Sequence, residues 1–477
     1  VLGLDDFNQI YKNVVENGYC FGTGIWSVYS KNIGMKLNQY GAYVPYLKNI
    51  NQNITSDICK DLREITPFYP GNSSEKDLAK ELFLGKYEFK YNTKLGYYKN
   101  LYIGHVNNDK FRMNSSSGGM VTWILTELMK KKEIDAVIHI KHVKNNQDGI
   151  VFKYGISTTI EDVFKNAKTK YYPVEMSEVL NYVKTHSGKY AIVGLPSYIY
   201  AVRLLQQHDH TFKERIKYCI GLICGHQKTK SFAEYLAWQC GVNPDKIADI
   251  NFRKKLPNKK ASSYAIEFWE KGKDKSVVEQ MKNLKGGNWG QGYFKLKASD
   301  FTDDVMNETA DVTLGDAWLD KYTWDYKGNN VIIVRNKTID NFMKNALEKE
   351  ELKLDLVDEN EIIKSQRSHF RHTQGELPYR IKKVENKGKW YPQLNADPRD
   401  ANKIPIMRKK IQDQRELIRD ESHKQFLIAK QNKNIKLFDA SMQPLCKKYF
   451  LLYKIYGLQR AGIKGILLKA KAKLFHI

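Results

Sequence analysis

Three serines and two glycines, Ser115-Ser-Ser-Gly-Gly119, stand directly before the apolar stretch Val121-Thr-Trp-Ile-Leu-Thr-Glu-Leu-Met129. Apolar residues at 121, 124, 125 and 128 have helical spacing, so the serines and glycines fall where a helix start leaves N–H groups unpaired. A helix N-terminus carries about half a positive charge, and glycine lets backbone approach an anion closely. The stretch therefore suits the pyrophosphate of a nucleotide. It equally suits a flexible loop with an N-cap serine, and the segment alone fits both readings. Two other places where chemistry could gather are Gly194-Leu-Pro-Ser197 and Cys224-Gly-His226, each ending a strand-like run.

These motifs need a frame. Ile134–Ile140, Lys189–Pro196 and Ile216–Cys224 read as strands, with helical runs over 121–129 and 198–205 between them. Strands alternating with helices predict an α/β fold with a mostly parallel sheet, whose ligands gather beyond the carboxyl ends of the strands. Further strands are expected at Ile247–Arg253, Tyr264–Trp269, Asp311–Trp318 and Asn330–Arg335, with the core running from about Asn107 to Arg380. Residues 1–75 read as a loop-rich cap, 76–385 as the core, and 386–477 as a basic helical appendage with a charged helix over about Arg408–Lys430.

The chain has 477 residues, and 42% hydrophobic content with 30 tyrosines excludes a disordered class. Lys and Arg total 78 against 53 Asp and Glu, a net charge of +25 that points to an anionic partner. Residues 438–477 hold eight Lys or Arg against the single Asp439, interleaved with aromatic and aliphatic side chains. That pattern suits an anionic membrane surface; an RNA-binding tail or a plain solvated helix are the rivals. No RNA-binding motif accompanies the charge, so nucleic acid is the weaker reading. None of the six cysteines forms a Cys-x-x-Cys pair, no apolar run is long enough to span a bilayer, and no export signal opens the sequence. The expected location is cytoplasmic, peripheral on the inner face of the plasma membrane.

Six ordered segments together resemble the coenzyme F420 hydrogenase/dehydrogenase beta subunit family of flavin- and iron–sulfur-containing oxidoreductases. They are Arg112-Met-Asn-Ser-Ser-Ser-Gly-Gly119, Lys168-Thr-Lys-Tyr-Tyr-Pro173, Val193-Gly-Leu-Pro-Ser197, Gly221-Leu-Ile-Cys-Gly-His226, Asn251-Phe-Arg253 and Ala310-Asp-Val-Thr-Leu-Gly-Asp-Ala-Trp318. The resemblance spans about Tyr19 to Arg380. It implies FAD as cofactor, with Ser116, Ser117, Gly118 and Gly119 at its pyrophosphate and Lys168 and Lys170 adding charge. Gly194 and Ser197 would flank the ring system, and Gly225 and Arg253 complete the binding set. His226 and Asp316 are candidate catalytic groups; a structural histidine and a turn aspartate are the plain alternatives.

The family's ferredoxin-like motif, Cys-x-x-Cys-Gly-x-Cys, here reads Cys20-Phe-Gly-Thr23-Gly-Ile-Trp26. Thr66, Ser197, Ser299 and Thr302 stand where the family pattern has four more cysteines. Thiolate holds the iron of such clusters, so 4Fe–4S centres are not expected. The long arrangement is similar to that of accessory enzymes in bacterial surface-polysaccharide synthesis, which implies a sugar or lipid-linked glycan as substrate. The alternative is a non-catalytic scaffold or partner subunit of a polysaccharide assembly complex.

Overall fold

The computed structural model describes residues 2–49, 54–85, 88–143, 146 and 148–474, and their side chains except those of Leu2 and 462–474. An eight-stranded sheet organises the chain. Its strands are β1 (Asn100–Val106), β2 (Ala136–His142), β3 (Phe152–Ser157), β4 (Tyr190–Gly194), β5 (Ile216–Leu222), β6 (Val312–Asp316), β7 (Asn330–Val334) and β8 (Leu352–Leu356). Their spatial order is β8-β1-β7-β6-β5-β4-β2-β3. The middle strands β6, β5, β4 and β2 pair in parallel; β3, β7 and β8 run against them, so five of the eight strands share one direction.

Alternation along the middle strands sorts side chains to two faces. Val137, Ala191 and Ile220 face α1 (Met120–Lys130), which buries Trp123, Ile124, Leu125 and Leu128 against them. Ile138, Ile192 and Cys219 belong to the opposite layer, where α2 (Pro196–His208) contributes Tyr198, Ile199, Val202 and Leu205. β7, with all five residues buried, has the continuous apolar run of a strand covered on both faces. A separate antiparallel sheet of Ile247–Lys254, Ala265–Glu270 and Val277–Gln280 packs Ile250, Phe252, Ile266 and Phe268 into the same core as Ile138 and Tyr198 and carries Arg253.

The structure departs from expectation at both ends. The region read as a loop-rich cap contains helices Leu2–Tyr11 and Ser56–Ile65 and a hairpin, Ile33–Leu37 with Tyr43–Leu47. The second helix is capped by the Thr55 hydroxyl and buries Cys59, Leu62 and Ile65, a stripe too short to stand out as sustained periodicity. The sheet also begins earlier than Asn107, with β1 between β7 and β8. At the other end the expected helical tail is present, with α3 (Ile406–Gln431) where a charged helix was expected over about Arg408–Lys430; with α4 (Ile435–Leu474) it packs on the body of the protein where an appendage was expected. Arg408 pairs with Glu376 at 2.5 Å, Arg419 pairs with Asp300 at 2.5 Å, and Phe426 and Phe438 pack on Phe294 and Tyr235. A charge-rich helix reads as solvated until its arginines are seen to be buried and paired.

Candidate active site at the carboxyl edge of the sheet

A cavity of about 260 Å³ opens where the parallel strands end. Gly194 from β4, Ile223 after β5 and Asp316 from β6 line it together with Ser116, Ser117 and Gly119. The turn between Lys168 and Pro173 closes another side. The loop before α1 therefore shares one cavity with the β4 and β5 strand ends, as a sheet of this kind requires.

The loop is held from behind by its carbonyls. The Ser116 carbonyl accepts from Arg253 at 3.4 Å, the Ser117 carbonyl from Lys255 at 2.8 Å and from the Ser115 hydroxyl at 2.7 Å, and the Gly118 carbonyl from the β1 amide of Val106 at 2.9 Å. A trans peptide sets each N–H opposite the preceding carbonyl, so the amides of Ser117, Gly118 and Gly119 point away from these anchors. Successive backbone amides in such a loop can offer hydrogen bonds to an anion, and Ser116, Ser117 and Gly119 stand at the cavity wall. Gly118 is turned away from the cavity itself: a Cβ there would lie 2.7 Å from the Gly104 carbonyl oxygen, so the glycine serves the close approach of loop and β1. Gly119 adopts φ +88° as the residue before the helix, which glycine does without strain.

Three lysines line the cavity, and among the described residues none pairs with a carboxylate. Burial pushes Lys168 down from its usual value, and pushes Lys170 down to about 7. The Lys170 ammonium caps the carbonyls of Asn166 and Ala167, so it shapes the turn as well as charging it. Lys228 is buried, donates to the Tyr293 carbonyl, and lies 4.9 Å from the Phe232 and Trp289 ring centroids. Burial, then Lys295 and Arg415, hold it well below the ordinary lysine range. Sequence reasoning did not single out Lys228 or Lys255; a lone lysine carries no signal of what will surround it.

The two candidate catalytic groups fare differently. His226 lines the cavity, its ring 5.7 Å from that of His372, and its buried Nδ1 has no hydrogen-bond partner among the described residues. Burial, then Lys295 and His372, keep it neutral near pH 7, so it can exchange a hydrogen bond with a ligand but does not enter as an imidazolium. Asp316 reaches the cavity wall with both oxygens engaged by Arg253, at 3.0 and 3.1 Å. Arg253 also donates to the Tyr171 hydroxyl and lies 4.2 Å from the Tyr264 ring centroid. Arg253, Gly225 and Ser197 do not line the cavity. Arg253 and Asp316 form a clamp joining the outer sheet, β6 and the serine loop.

The positions of the missing N-terminal thiols also converge. Cys20, Thr23, Trp26 and Thr66 surround a second cavity of only about 30 Å³, and the Trp26 indole donates to the Thr66 hydroxyl at 2.8 Å. The Cys20 thiol is pushed up to about 11 by burial. One protonated thiol, two hydroxyls and an indole in a space of about one water do not fit a 4Fe–4S centre. At the other positions, Ser299 accepts from the Gln227 amide at 3.0 Å and Ser197 is buried at the start of α2.

Residues 101–181 match the N-terminal part of the coenzyme F420 hydrogenase/dehydrogenase beta subunit, and residues 187–360 match its C-terminal part. The two stretches cover more than half of the chain and carry the serine loop, all three cavity lysines, His226, Arg253 and Asp316. The chain belongs to this oxidoreductase family. It is 25% identical over 250 residues to an uncharacterized protein of Methanocaldococcus jannaschii, covering 50% of this chain and 81% of that protein. It is 30% identical over 115 residues to one of the subunits of the F420H2 dehydrogenase of Methanosarcina mazei, covering 24% of this chain and 31% of that relative. Among solved structures, a chain of the F420-reducing nickel–iron hydrogenase complex from Methanosarcina barkeri aligns with a TM-score of 0.48 at 13% identity, over 64% of this chain and 99% of that one. Among the described residues, no helix is long and apolar enough to cross a membrane.

Proposed function

We propose that this chain is a flavin-dependent oxidoreductase that holds FAD in the 260 Å³ cavity and works without 4Fe–4S clusters. The observation that carries the proposal is the pinned loop: its carbonyls are engaged by Arg253, Lys255 and Val106, and Ser116, Ser117 and Gly119 line a cavity with three lysines that lack a carboxylate partner among the described residues. The Ser117–Gly119 amides and the N-terminus of α1 would take the pyrophosphate, Lys168 and Lys170 would add charge, and the apolar walls at Leu195 and Ile223 would cover the ring system. Bound there, a flavin supplies hydride or single-electron transfer. Neutral His226 would hold a hydrogen bond to ligand at the cavity wall, and the Arg253–Asp316 clamp would keep the loop in place. Because the residues around Cys20 do not suit a cluster, this reading requires a reductant that reaches the cavity itself: a reduced nicotinamide, a deazaflavin or the substrate.

The motif resemblance extends the proposal to a sugar or lipid-linked glycan substrate in surface-polysaccharide assembly. The test is the absorption spectrum of the purified chain before and after incubation with FAD. The expected result is a flavin spectrum near one equivalent per chain, without stoichiometric iron. A colourless protein that takes up no FAD overturns the proposal. It would leave the scaffold reading, which is favoured by the replacement of cluster ligands with a hydrogen-bonded Trp26–Thr66 pair.

A further inference from the structure

The outer face of α4 mixes cations and exposed apolar side chains in a way that neither water nor a protein core accounts for. On the inner face Phe438, Met442, Tyr449 and Leu452 are buried, fixing the helix to the body of the protein. On the outer face Leu437, Phe450, Leu451 and Leu458 are 43, 52, 55 and 38% exposed. Lys447, Lys448, Lys454 and Arg460 are exposed on the same stretch. Lys447, Phe450, Leu451, Lys454 and Leu458 follow the i, i+3, i+4, i+7, i+11 spacing of one helix face, so the lysines and the apolar groups are neighbours.

After Asp439 the sequence holds eight basic residues and no acidic one, whereas α3 supplies its own acids: Asp413 and Glu416 pair with Lys383, and Glu421 pairs with Lys424. Four of the eight lie within residues 462–477, where side chains are outside the described residues; of the other four, Lys447, Lys448 and Lys454 border this face, and Arg460 is exposed beside the Tyr456 ring.

We infer that this face of α4 docks on an anionic lipid bilayer, with Phe450, Leu451 and Leu458 entering the headgroup boundary and the neighbouring lysines extending to lipid phosphates. A cation on an apolar face is costly inside a protein interface but suited to a bilayer surface, where the lysine stem lies along apolar chains and its ammonium reaches the headgroups. Nucleic acid is disfavoured because, among the described residues of this stretch, Phe450 alone offers an exposed ring for a base to stack on: Tyr449 is buried, and Tyr453 and Tyr456 lie 5.4 and 5.2 Å from the Arg408 guanidinium. A second copy is disfavoured because two such faces would repel. The surface is independent of what the cavity binds.

The test is flotation of the full chain with phosphatidylcholine vesicles and with vesicles containing one quarter phosphatidylglycerol, at 0.1 and 0.5 M salt. The chain is expected to float with the anionic vesicles at low salt and to be released at high salt. Replacing Lys447, Lys448 and Lys454 with Gln should lower partitioning roughly a hundredfold, at about fivefold per lysine. Replacing Phe450, Leu451 and Leu458 with Ser should also release the chain, with the melting temperature of both variants unchanged because all six side chains are exposed. No flotation of the wild-type chain, equal flotation with neutral vesicles, or a vesicle-free dimer that the serine variant dissolves would each overturn the inference.

Discussion

The molecule buries two groups of cations, and they differ in one respect. Around Asp300, Lys295 and His372 approach one carboxylate oxygen at 2.6 and 3.0 Å, and Arg419 approaches the other at 2.5 Å. Arg380 adds a bond to the Asp300 carbonyl at 2.8 Å. Burial alone would raise the Asp300 carboxyl, yet Lys295, His372 and Arg419 hold it well below the usual carboxylate range. Around the cavity, Lys168, Lys170 and Lys228 have no carboxylate partner among the described residues. The first group ties the C-terminal helices to the body of the protein; the second leaves positive charge facing a space. A buried cation matched by an anion of the chain serves the fold, and one left unmatched beside a cavity is available to the anionic ligand proposed above.

The sharpest break of this comparison removes the shared anion. Asp300→Ala would leave Lys295 and Arg419 buried without their counter-charge, and should cost about 3–5 kcal/mol in denaturant unfolding. A loss below about 1 kcal/mol would mean the pairing is not what holds α3. The next test converts a matched cation at the cavity edge into an unmatched one. Asp316→Asn frees Arg253, which should cost about 2 kcal/mol of stability yet strengthen pyrophosphate binding, measured by calorimetry. Weaker binding together with lower stability would show that loop position matters more than charge.

Lys228→Met should do the reverse. Removing an unmatched buried charge should leave unfolding stability equal or higher while weakening pyrophosphate or FAD binding by about tenfold, or ~1.4 kcal/mol. A clear fall in stability would place Lys228 with the structural group.

A further test is a pH slope. Lys170 is pushed down from 10.5 to about 7 by burial, so between those values the unfolded chain binds more protons than the folded one. Stability of the ligand-free protein should therefore rise with pH across that window, while anion affinity falls as the ammonium is lost. Lys170→Met should flatten both slopes; a slope that survives belongs to another group.

Part of this was legible in the sequence because it is local. The helix α1 and the strands ending at Gly194 and Leu222 follow from apolar spacing and turn residues. The Ser115–Gly119 loop was open to two readings, an anion site or a flexible loop with an N-cap serine, and folding places Ser116, Ser117 and Gly119 at the cavity wall. Other parts were hidden because their partners are far away in sequence. Lys255 reaches the Ser117 carbonyl across 138 residues, and Arg419 reaches Asp300 across 119. Gly118, which the family resemblance assigned to the pyrophosphate, is required by the close approach of the β1 backbone.

The sequence by itself determined the alternation of strands and helices and the loop that precedes α1, since each depends on residue type and short spacing. Only the tertiary structure decided which charges are matched. Lys228 and Lys295 are both buried lysines within one basic chain, and nothing in their neighbouring residues distinguishes them. Lys295 meets Asp300 and Lys228 meets a carbonyl and two rings, and it is folding that supplies those neighbours. A charge gains its role from the dielectric and the counter-charge around it, and both are properties of the packed chain.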